Sequence, residues 1–327
     1  MTGDNPAIPH NPYKMKLLKQ LYEIYSPSGS EKRMKKFIKF WINRNVPDAV
    51  IGHDNTGNLY ITRGKAQTYP CVVAHLDQIQ KTHSLDFKAV ETNEIIFGYS
   101  SKNRRQEGLG ADDKNGIWVA LKCLKKYDVL KVALFVGEEV GCVGSGQCVM
   151  HFFDDCRFVL QCDRKHGKDL IINASWSELC SEEFLKDIDY EKFGYKTENG
   201  MLTDVATLKD EGLAVSCLNL SCGYYEPHTD HEFTIKVELW NCLALVEHII
   251  ENCTNTYPHK DDGYGLYGKY YGRSIEEYDM ACDMVEDYLS YNPNATADEV
   301  YDIFKHDFHL DKEDFKDIVK SCNLRCL

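Results

Sequence analysis

Leu17, Leu18, Leu21, Tyr22 and Tyr25 recur at helical spacing along residues 14–25, which predicts an amphipathic helix ending at Ser26-Pro27-Ser28-Gly29. Ser28 and Glu31 have the spacing of a capping box, so a second helix is expected to open there and run to about Arg44. The pattern then changes period. Residues 49–54 and 58–62, either side of Asn55-Thr56-Gly57, read as a hairpin. Four apolar runs of strand length follow, at 71–76, 131–136, 157–162 and 214–219. Helical patterns lie between and after them, at 117–126, from Gly144, at 204–209 and at 238–252. Residues 78–110 show no period and are expected to be polar and irregular. Buried strands alternating with helices predict an α/β domain whose largely parallel sheet is covered on both faces.

Around residues 257–273 the composition changes to Tyr, Gly, Asp and Lys, as in a linker or an ordered aromatic loop. Three short helical patterns follow, near 275–290, 297–307 and 311–323, with starts offered by Asn294-Ala-Thr296 and Asp311. The expected division is a domain over 1–256, a linker or loop over 257–274 and a small helical extension over 275–327. The extension reads as an extra structural layer or as a partner-binding satellite.

At 327 residues, 43% hydrophobic and 27% charged, the chain can bury one large core with a smaller appendage. A formal net charge of -13 argues against nucleic acid or an anionic membrane as the dominant partner. The 14 cysteines are scattered singly, and Cys71, Cys123, Cys162 and Cys217 sit inside apolar runs, where cysteine behaves as a small buried hydrophobe. Met1-Thr-Gly-Asp-Asn-Pro lacks a signal core, and no run approaches membrane-spanning length. A reduced, cytoplasmic protein is the expectation.

The chemistry gathers at strand ends. The run 131–136 stops at Gly137 and delivers Glu138 and Glu139, adjacent carboxylates that repel unless a cation lies beside them. His75 and Asp77 follow the strand at 71–76, and Asp163 follows the strand at 157–162. In open α/β sheets the ligand crevice lies beyond the carboxyl ends of the strands, so these side chains are expected to converge. Asp112 stands in a Gly-flanked loop at a helix start, and His228 in Glu226-Pro-His-Thr-Asp-His-Glu232. Imidazoles and carboxylates without thiolates suit zinc, cobalt or manganese in a catalytic site. Each residue also has a plainer reading. The Glu pair could be a solvated turn, His75 a core histidine, and Asp112 or Asp113 a helix cap. Asp163 could pair with Arg164 or Lys165, and His231 competes with His228. His53, His83, His151, His166, His248, His259, His306 and His309 fall outside the pattern.

Taken together, His75-Leu-Asp77, Gly110-Ala-Asp112-Asp113-Lys114-x-Gly116, Glu138-Glu139, Asp163 and His228-x-x-x-Glu232 resemble the co-catalytic di-zinc exopeptidases. The resemblance is greatest to the peptidase T-like tripeptidases and their aminopeptidase and deacylase relatives. It spans residues 14–252 and includes Ser26-Pro-Ser-Gly and the Asp54…Gly57-Asn58-Leu hairpin. It implies a three-layer zinc-exopeptidase-like fold with two divalent metals per chain, zinc first, with cobalt or manganese as alternatives. On that resemblance Asp112 bridges the metals, His75 and Asp163 complete one position, and Glu139 and His228 complete the other. Glu138 becomes the general base and Asp77 orients His75, while Thr203-Asp204 is similar to a Gly-Thr-Asp near the family's active site. In relatives a cis peptide joins the residues matching Asp112 and Asp113.

One departure matters. Such chains usually carry an α/β insert of about a hundred residues between the positions of Asp163 and His228. Here 65 residues separate them, so the lid and dimerisation insert is missing or reduced to about residues 176–200. Lys102, Arg104 and Arg105, between Asp77 and Asp112, are either a clamp for a peptide carboxylate or a basic loop. The reading is a metal-dependent exopeptidase acting on the N-terminal amide bond of short peptides. Its enzymatic rival is an N-acyl amino acid deacylase or carboxypeptidase on the same centre. A rival of another class is a non-catalytic binding protein acting through the C-terminal helices. The oligomeric state stays open.

Overall fold

The computed structural model describes residues 15–174, 177–260 and, further on, 281, 284–285, 288–289, 292, 295–305, 312, 315–316 and 318–319. Two compact units divide the chain, Met1–Asp262 and Gly263–Leu327. In chain order the first unit comprises α1 (Lys16–Tyr22), α2 (Lys32–Asn45), β1 (Val50–His53), β2 (Leu59–Arg63), β3 (Tyr69–His75), β4 (Phe87–Glu91), β5 (Ile95–Ser100) and β6 (Arg105–Gln106). There follow α3 (Ala111–Lys126), β7 (Leu130–Phe135), β8 (Cys156–Arg164), β9 (Asp169–Ala174), β10 (Ser177–Glu178) and α4 (Glu182–Asp187). It closes with β11 (Lys196–Gly200), α5 (Asp204–Asp210), β12 (Cys217–Ser221), β13 (Tyr224–Tyr225), β14 (Phe233–Ile235) and α6 (Lys236–Asn252).

The main sheet runs β1-β2-β7-β3-β8-β12-β9-β10, with β11 also on β9. Its centre, β7-β3-β8-β12, is parallel. The antiparallel pairs β1-β2 and β2-β7 flank it on one side, and β9 runs antiparallel to β12 on the other. Every residue of β3 and β7 is buried, as a strand covered on both faces requires. Alternation sorts them: Val72, Ala74, Val132 and Leu134 join the core under α1, α2, α3 and α6, while Cys71, Val73, Ala133 and Phe135 join the core under α5. The result is a three-layer α/β fold with a mostly parallel centre, as the periodicity predicts.

Three expectations are corrected. Residues 78–110 are not irregular: β4 and β5 form a hairpin, β6 pairs with β5, and β14 and β13 complete a second sheet. Its turn is set by Thr92, whose Oγ1 accepts from the Glu94 and Ile95 amides at 3.2 and 3.0 Å. The sheet is half exposed, so its strands carry polar residues that hide the apolar run. Ser28 does not cap α2, which starts after Glu31 without a side-chain cap. Its hydroxyl donates to Asp77 Oδ2 at 2.7 Å instead. Third, α3 begins at Ala111, earlier than 117, with non-helical φ/ψ at Asp112 and Asp113 in its first turn.

Residues 177–200 hold β10, α4 and β11, which extend the far edge of the main sheet. Of the Tyr/Gly-rich stretch, Tyr257 packs in the first unit's core and Pro258 bridges to Val215, whereas 261–274 lie outside the described residues. In the second unit, the helix Ala297–Phe304 opens on a capping box formed by Thr296 and Glu299. Among the described residues no helix is long and apolar enough to cross a membrane.

One half-buried histidine gives the first unit a pH dependence. The His83 ring is stacked between Tyr25 and Phe87, with centroids at 5.2 and 4.2 Å, and its Nδ1 has no hydrogen-bond partner. Burial, then Lys114, pushes its pKa down from 6.5 to about 4, while Glu107 raises it and Arg33 lowers it further. The folded state thus holds His83 neutral while the unfolded chain binds the proton. Stability from this group is full above pH 6.5 and falls as pH drops from 6.5 towards 4. His83→Phe should flatten that decline relative to wild type in urea unfolding at pH 7, 6 and 5. Parallel losses in both proteins would refute it.

Candidate metal centre

The carboxyl ends of β3, β7 and β8 open onto one crevice, because parallel strands direct their C-terminal turns to the same side of the sheet. His75, the last residue of β3, is fully buried there. Its Nε2 lies 2.9 Å from Asp112 Oδ1, 3.5 Å from Asp163 Oδ1 and 3.8 Å from Glu138 Oε2. The second imidazole arrives from the β13–β14 connection. His228 Nε2 is 3.3 Å from Asp112 Oδ2 and 3.1 Å from Glu139 Oε2. Asp112 therefore turns one carboxylate oxygen to each histidine. All seven sequence-derived candidates are in this crevice.

The remaining acids have different work. Asp77 Oδ1 lies 3.4 Å from His75 Nδ1, and its two oxygens accept from the Glu138 and Glu139 amides at 3.1 and 3.3 Å. It thus ties the glutamate turn to the histidine strand. Asp113, joined to Asp112 by a cis peptide, accepts from the backbone amides of His75 at 3.1 Å and Gly116 at 2.9 Å. The helix-cap role belongs to Asp113. His231, the competitor of His228, is exposed. Lys102 and Arg104 are exposed in the β5–β6 turn, and Arg105 faces Glu107 at 3.7 Å.

The electrostatics are those of crowded anions. Burial, then Asp112, pushes Asp163 well above the usual carboxylate range, and burial with Asp163 and Asp204 does the same to Glu138. Burial and Asp112 raise Glu139. Against its burial, the two imidazoles hold Asp112 well below the range. Their own basicity rises despite burial, His75 through Asp163 and Glu138, and His228 to about 12 through Glu139 and Asp112. Two imidazoles are too little positive charge for this set. Asp163 Oδ1 and Glu139 Oε1 are also buried with no hydrogen-bond partner. Buried orphan carboxylate oxygens beside imidazole nitrogens fit divalent cations. Two overlapping groups have ligand atoms close enough to hold one: His75, Asp113 and Asp163, and His75, Asp112 and Glu139. Asp113 in the first group already has both oxygens on backbone amides, which leaves Asp112 as the freer donor.

A polar layer, of which the sequence reading singled out only Thr203-Asp204 and Glu232, supports these residues. Asn219 Oδ1 accepts from the Asp163 amide at 2.9 Å, and its Nδ2 donates to Thr203 Oγ1 at 3.1 Å. Gln161 Nε2 donates to Asp163 Oδ2 at 3.1 Å and Asp204 Oδ2 at 3.3 Å, while its Oε1 accepts from Thr203 Oγ1 and the Val205 amide at 2.7 and 3.0 Å. Ser145 Oγ donates to Asp204 Oδ1, which joins the loop after Glu139 to α5. Thr203-Asp204 thus belongs to this layer. Tyr224 Oη lies 3.1 Å from Asp112 Oδ2 and 3.0 Å from the Asp163 carbonyl. Glu232 accepts from the Gly110 and Asp112 amides rather than facing an imidazole. The only sequence signal for Glu232 is its spacing of four from His228; Gln161 and Asn219 are buried polar residues inside apolar runs.

No protein-family profile matches the chain, and no curated protein sequence does. Solved structures do. Aminopeptidase PepT from Bacillus cereus superposes over 73% of this chain and 97% of its own, with TM-score 0.59 and 14% identity. A tripeptidase from Staphylococcus aureus gives the same coverages, TM-score 0.59 and 14% identity. An aminopeptidase from the archaeon Desulfurococcus kamchatkensis covers 73% of this chain and 94% of its own, with TM-score 0.55 and 17% identity. The first unit, with its acid-and-imidazole crevice at the strand ends, has the fold of these aminopeptidases.

Proposed function

We propose that the chain is a metal-dependent exopeptidase that hydrolyses the N-terminal amide bond of short peptides. One observation carries the reading: Asp112 sets Oδ1 at 2.9 Å from His75 Nε2 and Oδ2 at 3.3 Å from His228 Nε2. A carboxylate facing two imidazoles through separate oxygens is what a bridging ligand requires. His75, Asp112 and Asp163 would hold one divalent ion, and Asp112, Glu139 and His228 the other, zinc before cobalt or manganese. When bound, such a pair would polarise the scissile carbonyl and acidify water.

The chain's own contribution centres on Glu138. Its Oε2 stands 3.8 Å from His75 Nε2, too far for a hydrogen bond, so this carboxylate is not committed to the imidazole. Glu138 is therefore the group that would accept a proton from water and return it to the leaving amine. Asp77 holds the Glu138 and Glu139 amides and the Nδ1 side of His75, which fixes base and ligand in one frame. The fold shared with aminopeptidases and a tripeptidase favours a free-amine peptide over an N-acyl substrate. In this reading residues 1–256 are the catalytic domain and 275–327 a helical extension. The described cysteines are all free thiols, in keeping with a reducing, cytoplasmic setting.

Elemental analysis of wild type should find about two divalent ions per chain, and Glu138→Gln should keep them while losing roughly 10²–10⁴-fold in kcat. Absence of metal after reconstitution, or a fully active Glu138→Gln, would overturn the reading. Cleavage of N-acyl amino acids alone would replace aminopeptidase with deacylase. In a separate titration, His228→Ala should retain about one ion and Asp112→Ala almost none, since only Asp112 serves both positions. Equal retention by the two variants would remove the bridging role.

A further inference from the structure

His228 is an odd residue to trust with a ligand's position. Its side chain is 38% exposed and its φ of 64° is left-handed, so neither burial nor backbone preference fixes it. What anchors its loop is Glu232, four residues on and fully buried. Glu232 Oε2 accepts from the Gly110 amide and from Gln80 Nε2 at 3.0 Å, and Oε1 accepts from the Asp112 amide at 3.2 Å. Gln80 Oε1 in turn accepts from Gln78 Nε2 at 3.0 Å, and Gln78 Oε1 accepts from Lys114 Nζ. All four side chains are at most 4% exposed.

This chain has a direction. Lys114 Nζ faces the Leu109 carbonyl at 3.2 Å, which can only accept, and it likewise donates to the oxygen of Gln78. That leaves the Gln78 amide nitrogen to donate to Gln80, and the Gln80 nitrogen to donate to the carboxylate. A donor at one end and a carboxyl group that accepts two backbone amides at the other therefore orient both glutamines, and each bond polarises the next. Lys114 and Asp112 share the first turn of α3, so the chain closes into a ring through the Asp112 amide. The ring ties the segment after β3, the start of α3 and the His228 loop together.

We infer that the Lys114–Gln78–Gln80–Glu232 chain is a positioning device that sets His228 relative to Asp112 and so governs the affinity of one metal position. The metal half of this inference rests on the proposed function. None of the four residues is a ligand. Their effect reaches His228 and Glu139's position, while His75 and Asp163 keep their own supports.

The test is a double-mutant cycle with near-isosteric changes that delete links of the chain, Gln78→Met, Gln80→Met and the pair together. Glu232 is left intact because both of its oxygens also accept backbone amides, from Gly110 and Asp112, which a glutamine there would not satisfy. Two readouts are taken on full-length protein: amide exchange across 226–232 without metal, and stepwise Zn2+ titration of the same samples. The expected result is faster exchange in each single variant and about 10–100-fold weaker binding of one of the two ions, with the other unchanged. The double variant should be no worse than the poorer single, because a chain already broken at one link has nothing more to lose at the next. If wild type takes two ions and the losses simply multiply, or no variant differs, the inference is overturned and the peptidase reading stands. If wild type takes no metal while exchange still follows the cycle, the metal reading and the affinity claim fall, and the loop-positioning role alone survives.

Discussion

A buried carboxylate without a partner costs several kcal/mol, and this molecule packs Asp112, Asp163, Glu138 and Glu139 around only two imidazoles. That uncompensated charge is the constraint on which the rest depends. It is eased at strand ends, where turns supply amide donors, and by burial that pushes Asp163 and Glu138 toward the protonated form. The surrounding structure reads as a set of answers to it. Asp77 is stabilised by two amides and the Ser28 hydroxyl, and Asp113 by two amides. Asp163 and Asp204 share Gln161. What is left without partners, Asp163 Oδ1 and Glu139 Oε1, points to where charge is missing.

Rigidity comes from the sheet and precision from the polar layer around it. The four parallel central strands present His75, the glutamate turn and Asp163 side by side, an arrangement set by backbone pairing before any side chain is considered. The second sheet does for His228 what the first does for His75. Strand β14, which directly follows the His228 loop, pairs with β5, so the segment between Asp77 and Asp112 becomes the platform for the last ligand candidate. Within the short interval between Asp163 and His228, the described residues 177–200 add β10 and β11 to the edge of the main sheet, with α4 between them.

The sequence announced much of this because its signals are local. Period-two and period-3.6 patterns separate β3, β7 and β8 from α1, α2 and α6 without reference to anything distant. Strand-end acids and imidazoles can be spotted because a polar residue that closes an apolar run has few structural reasons to be there. Ser28 shows where local reading fails: its spacing to Glu31 mimics a cap, yet its hydroxyl serves Asp77, 49 residues away. The hairpin in 78–110 was hidden for a related reason, since a half-exposed sheet needs only every second residue apolar and its partner β14 is far along the chain.

The sequence by itself determined the layered α/β architecture and the strand ends that carry the chemistry, because hydrophobic period and residue type are properties of neighbours in the chain; Asp112 and His228 joined the set through the family resemblance of their motifs. Only the tertiary structure decided which oxygen of Asp112 faces which imidazole, that Asp113 is spent on backbone amides, and that Glu232 stands behind Asp112 rather than beside His228. Those choices depend on distances between segments well separated in the chain, 38 residues for His75 and Asp113 and 120 for Asp112 and Glu232, fixed by sheet register and by where each buried donor finds its acceptor, and no local pattern encodes them.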